Sequence, residues 1–140
     1  MDISQDVYCR IVESLSTGER ESGGLLGDRK GIVEYFEFDL GIGDDTRAVY
    51  RPDVCRLNYV LAQRRRMGIR FCGMVHSHPA GQERLSSADH RYISTIMATM
   101  PKEMDRLYFP LVLPEGRMIG YVAERIMGVR RDSIRIVRPI

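Results

Sequence analysis

The chain lacks several residue patterns that would indicate whole classes of protein. It has no tryptophan, only three cysteines, and no apolar run near the roughly 20 residues that a bilayer-spanning helix needs. Cys9, Cys55 and Cys72 form no Cys-x-x-Cys pair, so neither a disulfide framework nor a thiolate zinc cage is expected. We expect each cysteine to be a small core residue. The opening residues have no signal-peptide character, and we expect a cytoplasmic protein.

The chain also lacks a large excess of charge of either sign. The 21 lysines and arginines nearly balance 19 acidic residues, for a formal net charge of +2. This balance argues against nucleic acid or a membrane as the partner. Basic clusters at 63–66 and 129–131 are typical of a solvated helix face or a strand edge. The 140 residues fit a single domain, 1–140.

Apolar periodicity predicts a layered fold. Helical spacing alternates along the chain with β-type runs, which indicates an α/β or α+β layered sheet with helices packed on it. We predict helices at 4–15, 51–68 and 86–100, a loop at 41–48, and strands at 23–28, 31–40, 69–79, 107–114, 117–124 and 133–140. Pro52 suits the first turn of the second helix.

The most chemically specific stretch is "HSHPAGQERLSSAD", residues 76–89. Residues two apart on a strand point to the same face, so His76 and His78 should project side by side. Pro79 ends the strand, and a short loop can bring Asp89 back towards the strand end. Two imidazoles and a carboxylate, with a fourth position left for water, are typical of catalytic zinc.

Ser86 and Asp89 also have a purely structural interpretation. Ser-x-x-Asp before an apolar run is a helix-capping pattern, in which the serine accepts a backbone N–H and the acid lies near the helix dipole. Capping explains these two residues without a metal, but it does not explain two histidines at the end of a buried strand. The two interpretations are compatible, because a cap would hold Asp89 in place.

The whole pattern resembles a known family. Residues 76–89 match His-x-His-Pro-x6-Ser-x-x-Asp, and "ESGGLLGD", residues 21–28, matches an upstream Glu-x-x-Gly. On these residues the chain resembles the JAMM/MPN zinc metalloproteases, as a compact, prokaryotic-type member, over nearly its whole length. The resemblance implies a mixed, largely antiparallel central sheet flanked by helices, similar to that of MPN domains and cytidine deaminases.

The resemblance also implies roles for the matched residues. It assigns Zn²⁺ to His76, His78 and Asp89, the general acid/base to Glu21, and stabilisation of the oxyanion to Ser86. The implied reaction is hydrolysis of a peptide or isopeptide bond in a protein substrate, and the implied substrate is the C-terminal tail of a ubiquitin-like protein or its conjugates. Glu19 is a rival for the base because it would share a strand face with Glu21.

Two other functional classes share this kind of fold. Some relatives keep the fold without the chemistry, so a non-catalytic MPN-type scaffold or binding module is the alternative; such relatives typically lack one or more ligands, whereas every matched position is filled here. The zinc nucleobase deaminases require His-x-Glu and Pro-Cys-x-x-Cys. The chain contains neither pattern.

Overall fold

The computed structural model describes residues 1–16, 20–42 and 50–139, which form three helices and ten strands. None of the described helices is long and apolar enough to cross a membrane. The predicted loop at 41–48 lies mostly outside the described residues. In chain order the elements are β1 (Asp2–Ser4), α1 (Gln5–Leu15), β2 (Gly23–Arg29), β3 (Ile32–Asp39), α2 (Val54–Arg65), β4 (Arg70–Ser77), α3 (Ser87–Thr99), β5 (Arg106–Tyr108), β6 (Leu111–Val112), β7 (Met118–Ile119), β8 (Tyr121–Glu124), β9 (Gly128–Arg131) and β10 (Arg135–Val137).

The strands form one mixed sheet, in the order β10–β1–β3–β2–β4–β5–β8–β9, with β6 beside β4 and β7 beside β6. Antiparallel pairing joins β2 to β3 and β4, β8 to β5 and β9, and β6 to β7. Parallel pairing joins β1 to β3 and β10, and β4 to β5 and β6. Only residues 132–134 separate the two edge strands β9 and β10, so the sheet is curled. The predicted mixed sheet with helices is confirmed.

The helices pack on opposite faces of the sheet. Leu25 and Leu26 are neighbours on β2, yet Leu25 belongs to the cluster that contains Leu57 of α2 and Ile93 of α3. Leu26 belongs instead to the cluster that contains Ile11 of α1. This is the alternation of a strand covered on both faces. The middle of β2 is consequently apolar on both sides.

Two predicted strands are each broken into two shorter strands. The run at 107–114 divides around Pro110, which has no amide to donate to a ladder. The carbonyl of Pro110 instead accepts from the amide of His76 at 3.3 Å. The run at 117–124 divides at Gly120, where an added Cβ would lie 2.2 Å from the carbonyl oxygen of Asp132. The first break follows from the proline itself, and the second from a contact with a distant segment.

Two other expectations need correction, and two strands were not predicted. Cys72 is buried as expected, but Cys9 and Cys55 are exposed on helices and are not core residues. Pro52 precedes α2 instead of lying in its first turn, because Asp53 is the N-cap and accepts from the amide of Arg56. The edge strand β9 was not predicted, nor was β1, whose three residues are too few to show a period.

Candidate metal centre and catalytic site

The two histidines lie at the C-terminal end of β4, where the sequence predicts them. His76 is in the strand and His78 follows its last residue, Ser77. Their Nε2 atoms are 3.0 Å apart, and the ring centroids are 4.7 Å apart with the rings nearly perpendicular. The period of the strand has therefore placed two nitrogen atoms at one point, as expected.

A backbone carbonyl orients the buried ring of His78. Its Nδ1 lies 3.0 Å from the carbonyl oxygen of Gln82. A carbonyl only accepts, so Nδ1 carries the proton and Nε2 faces the cluster, an arrangement typical of metal-binding histidines. Burial acts to lower the pKa of His78, but hydrogen bonds with Asp89 and the Gln82 carbonyl outweigh it and raise the pKa.

Asp89, in the first turn of α3, completes the group. Its Oδ2 lies 3.0 Å from Nε2 of His78, and its Oδ1 lies 3.3 Å from Nε2 of His76. Burial acts to raise the pKa of Asp89, but hydrogen bonds from the two histidines and from the Ser86 amide hold it well below the usual range. The carboxylate is therefore ionised and directed at the histidine pair.

The capping box predicted from Ser86 and Asp89 is present. The Ser86 Oγ accepts from the amide of Asp89 at 3.0 Å, and the Ser86 amide donates to Oδ2 of Asp89 at 2.8 Å. The helix start thus fixes the carboxylate that meets the histidines, and the structural and functional interpretations hold together. Accepting a bond at the cap leaves the Ser86 hydroxyl hydrogen able to donate elsewhere.

Glu21 reaches the cluster through the pairing of β2 with β4. Gly23 pairs with His76, so the residues just before β2 lie beside the end of β4. One ligand atom from each of Glu21, His76 and His78 lies within 4.8 Å of the other two. Burial raises the pKa of Glu21, although the two histidines act to lower it. Glu19, the rival for the base, lies outside the described residues.

The donor set fits Zn²⁺ by chemistry and by spacing. Zinc bonds of about 2.0–2.2 Å to nitrogen and oxygen, at tetrahedral angles, put neighbouring ligand atoms roughly 3.3 Å apart or slightly more. The three separations among His76, His78 and Asp89 are 3.0, 3.0 and 3.3 Å. Only a small expansion would therefore be needed to accept the ion.

An apolar cavity of about 340 Å³ opens beside the cluster. Glu21, His76 and Asp89 line one part of it, and the remaining lining is mostly apolar or aromatic and includes Tyr50 and Tyr92. A larger cavity of about 550 Å³ lies near the opposite end of β4, around Arg70 and Arg106, and does not include the cluster. The smaller cavity is therefore the one placed to receive a group that reacts at the histidines.

The Tyr50 side of this cavity is held by a buried carboxylate. The Tyr50 hydroxyl donates to Asp39 at 2.8 Å, and the amide of Asp53 donates to the same oxygen at 2.9 Å. Arg56 pairs with the other oxygen at 3.0 Å, while the Asp39 side chain is only 2 % exposed. Burial acts to raise the pKa of Asp39, but these partners outweigh it and lower the pKa.

Sequence reasoning missed two supporting groups of the site. One is the Gln82 carbonyl, which no sequence pattern identifies because any residue has a carbonyl. The other is Ser77, whose buried hydroxyl bonds to the backbone of Ser22. A serine between two histidines on an apolar strand is an unusual buried polar residue, and that was the available signal.

Comparison with solved structures gives the fold a precedent. The chain is similar to a JAB1/MPN domain protein, AF2198, from Archaeoglobus fulgidus, with a TM-score of 0.58 and 19% identity over 98% of this chain and 97% of that one. The fold is that of an MPN domain. The chain is also similar to the protein DSY2949 from Desulfitobacterium hafniense, with a TM-score of 0.63 and 19% identity over 99% of this chain and 94% of that one. No family model and no curated protein sequence matches the chain.

Proposed function

We propose that this MPN-fold protein is a zinc-dependent peptidase or isopeptidase. The observation that supports the proposal is the meeting of His76, His78 and Asp89 with a second, half-buried carboxylate, Glu21, at the mouth of a cavity. A structural zinc site is closed by four protein ligands, most often including cysteine, whereas a catalytic site has three and keeps a position open. Glu21 provides the base that a scaffold would not need.

The residues divide the chemistry of hydrolysis between them. When bound, Zn²⁺ acts as a Lewis acid and lowers the pKa of a coordinated water to about 7. Glu21 takes the proton of the attacking water and delivers it to the leaving amine. The Ser86 hydroxyl donates to the oxyanion that develops on the carbonyl. No covalent bond to the protein forms, because the nucleophile is water.

We propose a protein substrate, bound by an extended tail. The apolar wall formed by Tyr50 and Tyr92 would take an apolar side chain near the scissile bond. The proposed substrate is the C-terminal tail of a ubiquitin-like protein, or an isopeptide bond that joins such a tail to another protein. Such a tail is an exposed, extended chain, so it can enter a cavity of this size.

Cleavage by metal-loaded protein is the direct test. The substrates are ubiquitin-like proteins that carry a C-terminal reporter amide or an isopeptide-linked lysine peptide, together with a proteome-derived peptide mixture read by mass spectrometry. We expect cleavage that a chelator abolishes and added zinc restores. Glu21→Gln should keep one zinc per chain and lose turnover, whereas Glu34→Gln, at an exposed glutamate of β3, should change neither.

Metal binding is tested separately from cleavage. His78→Ala should abolish zinc retention, while His90→Ala, at an exposed histidine directly after Asp89, should retain it. Zinc content per chain, measured after dialysis, distinguishes the two variants. Zinc-loaded protein that binds one of these tails but cleaves none of the substrates would refute the peptidase and support the scaffold alternative.

A further inference from the structure

Ser77, the residue between the two histidine ligands, makes an unusual set of contacts. It is 7% exposed and is the last residue of β4. Its Oγ accepts from the amide of Ser22 at 3.0 Å and donates to the carbonyl of Ser22 at 3.3 Å. Its own amide donates to the same carbonyl at 2.9 Å. Both backbone polar groups of Ser22 are therefore bonded to Ser77.

These bonds extend the strand pairing beyond the regular ladder. The β2–β4 register runs from Asp28 to Gly23, which pairs with His76. Ser22 is the next residue out and is itself 5% exposed. Its amide is satisfied by a side-chain hydroxyl in place of a ladder carbonyl, so the side chain at position 77 decides how the chain enters β2.

Glu21 precedes Ser22 directly, so its position depends on these bonds. A proton-transfer group must lie within hydrogen-bond reach of the proton it takes. Displacement of a reacting group by about 1 Å can lower a rate by roughly 100-fold. The bonds from Ser77 to Ser22 act on the one residue that separates Glu21 from the sheet.

We propose that Ser77 is a positioning residue, whose hydroxyl sets Glu21 against the metal ligands. This inference rests on the peptidase function proposed above. Ser77 touches neither the metal nor the substrate in this role. It acts through the backbone of Ser22, so its loss should change the position of Glu21 while leaving His76, His78 and Asp89 able to bind zinc.

The test compares Ser77→Ala with Ser77→Thr, which keeps the hydroxyl. The control is Ile3→Val, a buried change on β1, which lies on the other side of β3 from β2. We expect Ser77→Ala to hold zinc with an affinity within roughly threefold of the wild type, and to lose kcat by roughly 10- to 100-fold with KM unchanged. Ser77→Thr should restore kcat, and Ile3→Val should leave it unchanged.

Two readouts do not require turnover. Exchange of the Ser22 amide hydrogen should be faster in Ser77→Ala. In cobalt-substituted protein with ¹³C-labelled glutamate carboxyls, the paramagnetic relaxation of Glu21 should weaken, because that effect falls steeply with distance from the metal. If the wild type cleaves none of the substrates, the peptidase proposal fails, while these two measurements still decide whether Ser77 positions Glu21.

Several results would overturn the inference. An unchanged kcat or unchanged Glu21 relaxation in Ser77→Ala would show that the hydroxyl does not position the base. A loss of zinc affinity as large as the loss of kcat would show that Ser77 supports the ligands instead. Equal losses in Ile3→Val would show a general effect of stability. If Ser77→Ala does not fold, Ser77→Cys, which keeps the size with a weaker hydrogen-bonding group, takes its place.

Discussion

Replacing Ser86 with alanine separates two roles that one hydroxyl combines. The Ser86 Oγ caps α3 by accepting from the amide of Asp89. In the proposed reaction, the same hydroxyl also donates to the oxyanion. The alanine variant keeps the Ser86 backbone amide, which donates to the Asp89 carboxylate, so that metal ligand stays tied to the helix start. Zinc should therefore be retained while both functions of the hydroxyl are lost.

The expected loss of stability and the expected loss of kcat differ in size. A lost serine cap costs about 1 kcal/mol of stability, which lowers the midpoint of thermal unfolding by roughly 3 °C for a chain of this length. A lost oxyanion donor lowers kcat by about 10²- to 10³-fold, equivalent to about 2.7–4 kcal/mol in the transition state. A domain with an ordinary stability of at least about 5 kcal/mol stays more than about 99% folded after the first loss. Unfolding therefore cannot produce the fall in kcat.

The chain supplies a matched control in Ser4→Ala. Ser4 is the N-cap of α1 and accepts from the amide of Val7 at 3.3 Å, so it loses the same kind of cap on the helix that covers the opposite face of the sheet. Thermal unfolding, zinc content and kcat are measured for both variants. We expect similar losses of stability and a loss of kcat only in Ser86→Ala. Equal kcat values in the two variants would refute the oxyanion role and leave Ser86 as a cap alone.

Three further predictions concern the groups that support the site. Asp39 has a folded-state pKa below its ordinary value of 3.8, so it stabilises the fold above that pH, and the stabilisation is lost as the pH falls through the folded-state pKa. Asp39→Asn should lower the free energy of unfolding at pH 7 by about 2 kcal/mol, because it weakens the bonds to groups such as Arg56. It should also reduce the fall in stability at acidic pH, measured by denaturant titration at several pH values. An unchanged fall in stability at acidic pH would contradict this. Gly73→Ala would place a Cβ 1.8 Å from the Tyr108 carbonyl oxygen and should lower the free energy of unfolding by more than about 4 kcal/mol. Soluble protein with a normal midpoint of thermal unfolding would disprove the clash. Tyr121→Phe removes the hydroxyl that donates to the Glu83 carbonyl, in the loop between the histidines and α3. It should raise the zinc dissociation constant by roughly 10-fold, measured in competition with a chelating dye. Equal affinity would mean that the loop is held without the Tyr121 hydroxyl.

The site was predictable where it is local in sequence. His76, His78 and Asp89 span only 14 residues, and a strand, a turn and a capped helix are enough to bring them together. The two-residue period of the strand and the capping box each have a sequence signal of their own. The convergence of these three side chains therefore follows from short-range rules.

The position of Glu21 cannot be predicted from short-range rules. It lies 55 residues before His76, and only the pairing of β2 with β4 brings it to the cluster. Periodicity shows that both segments are strands but not that they are neighbours, so the resemblance alone supplied this residue. The break at Gly120 escaped prediction for the same reason, since it depends on a contact with another segment.

The proposed base and the proposed metal ligands come from different parts of the chain. The three proposed ligands lie in one short stretch of chain. There His78 contacts the Gln82 carbonyl in the loop and Asp89 at the start of α3, and the Ser86 amide donates to Asp89. Glu21 belongs to a different strand and connects to this unit through the Ser22–Ser77 bonds. The proposed metal ligands and the proposed base are thus held by different hydrogen bonds. In the proposed reaction, a change that shifts Glu21 would therefore reduce turnover without releasing zinc, whereas loss of a proposed metal ligand such as His78 would abolish both.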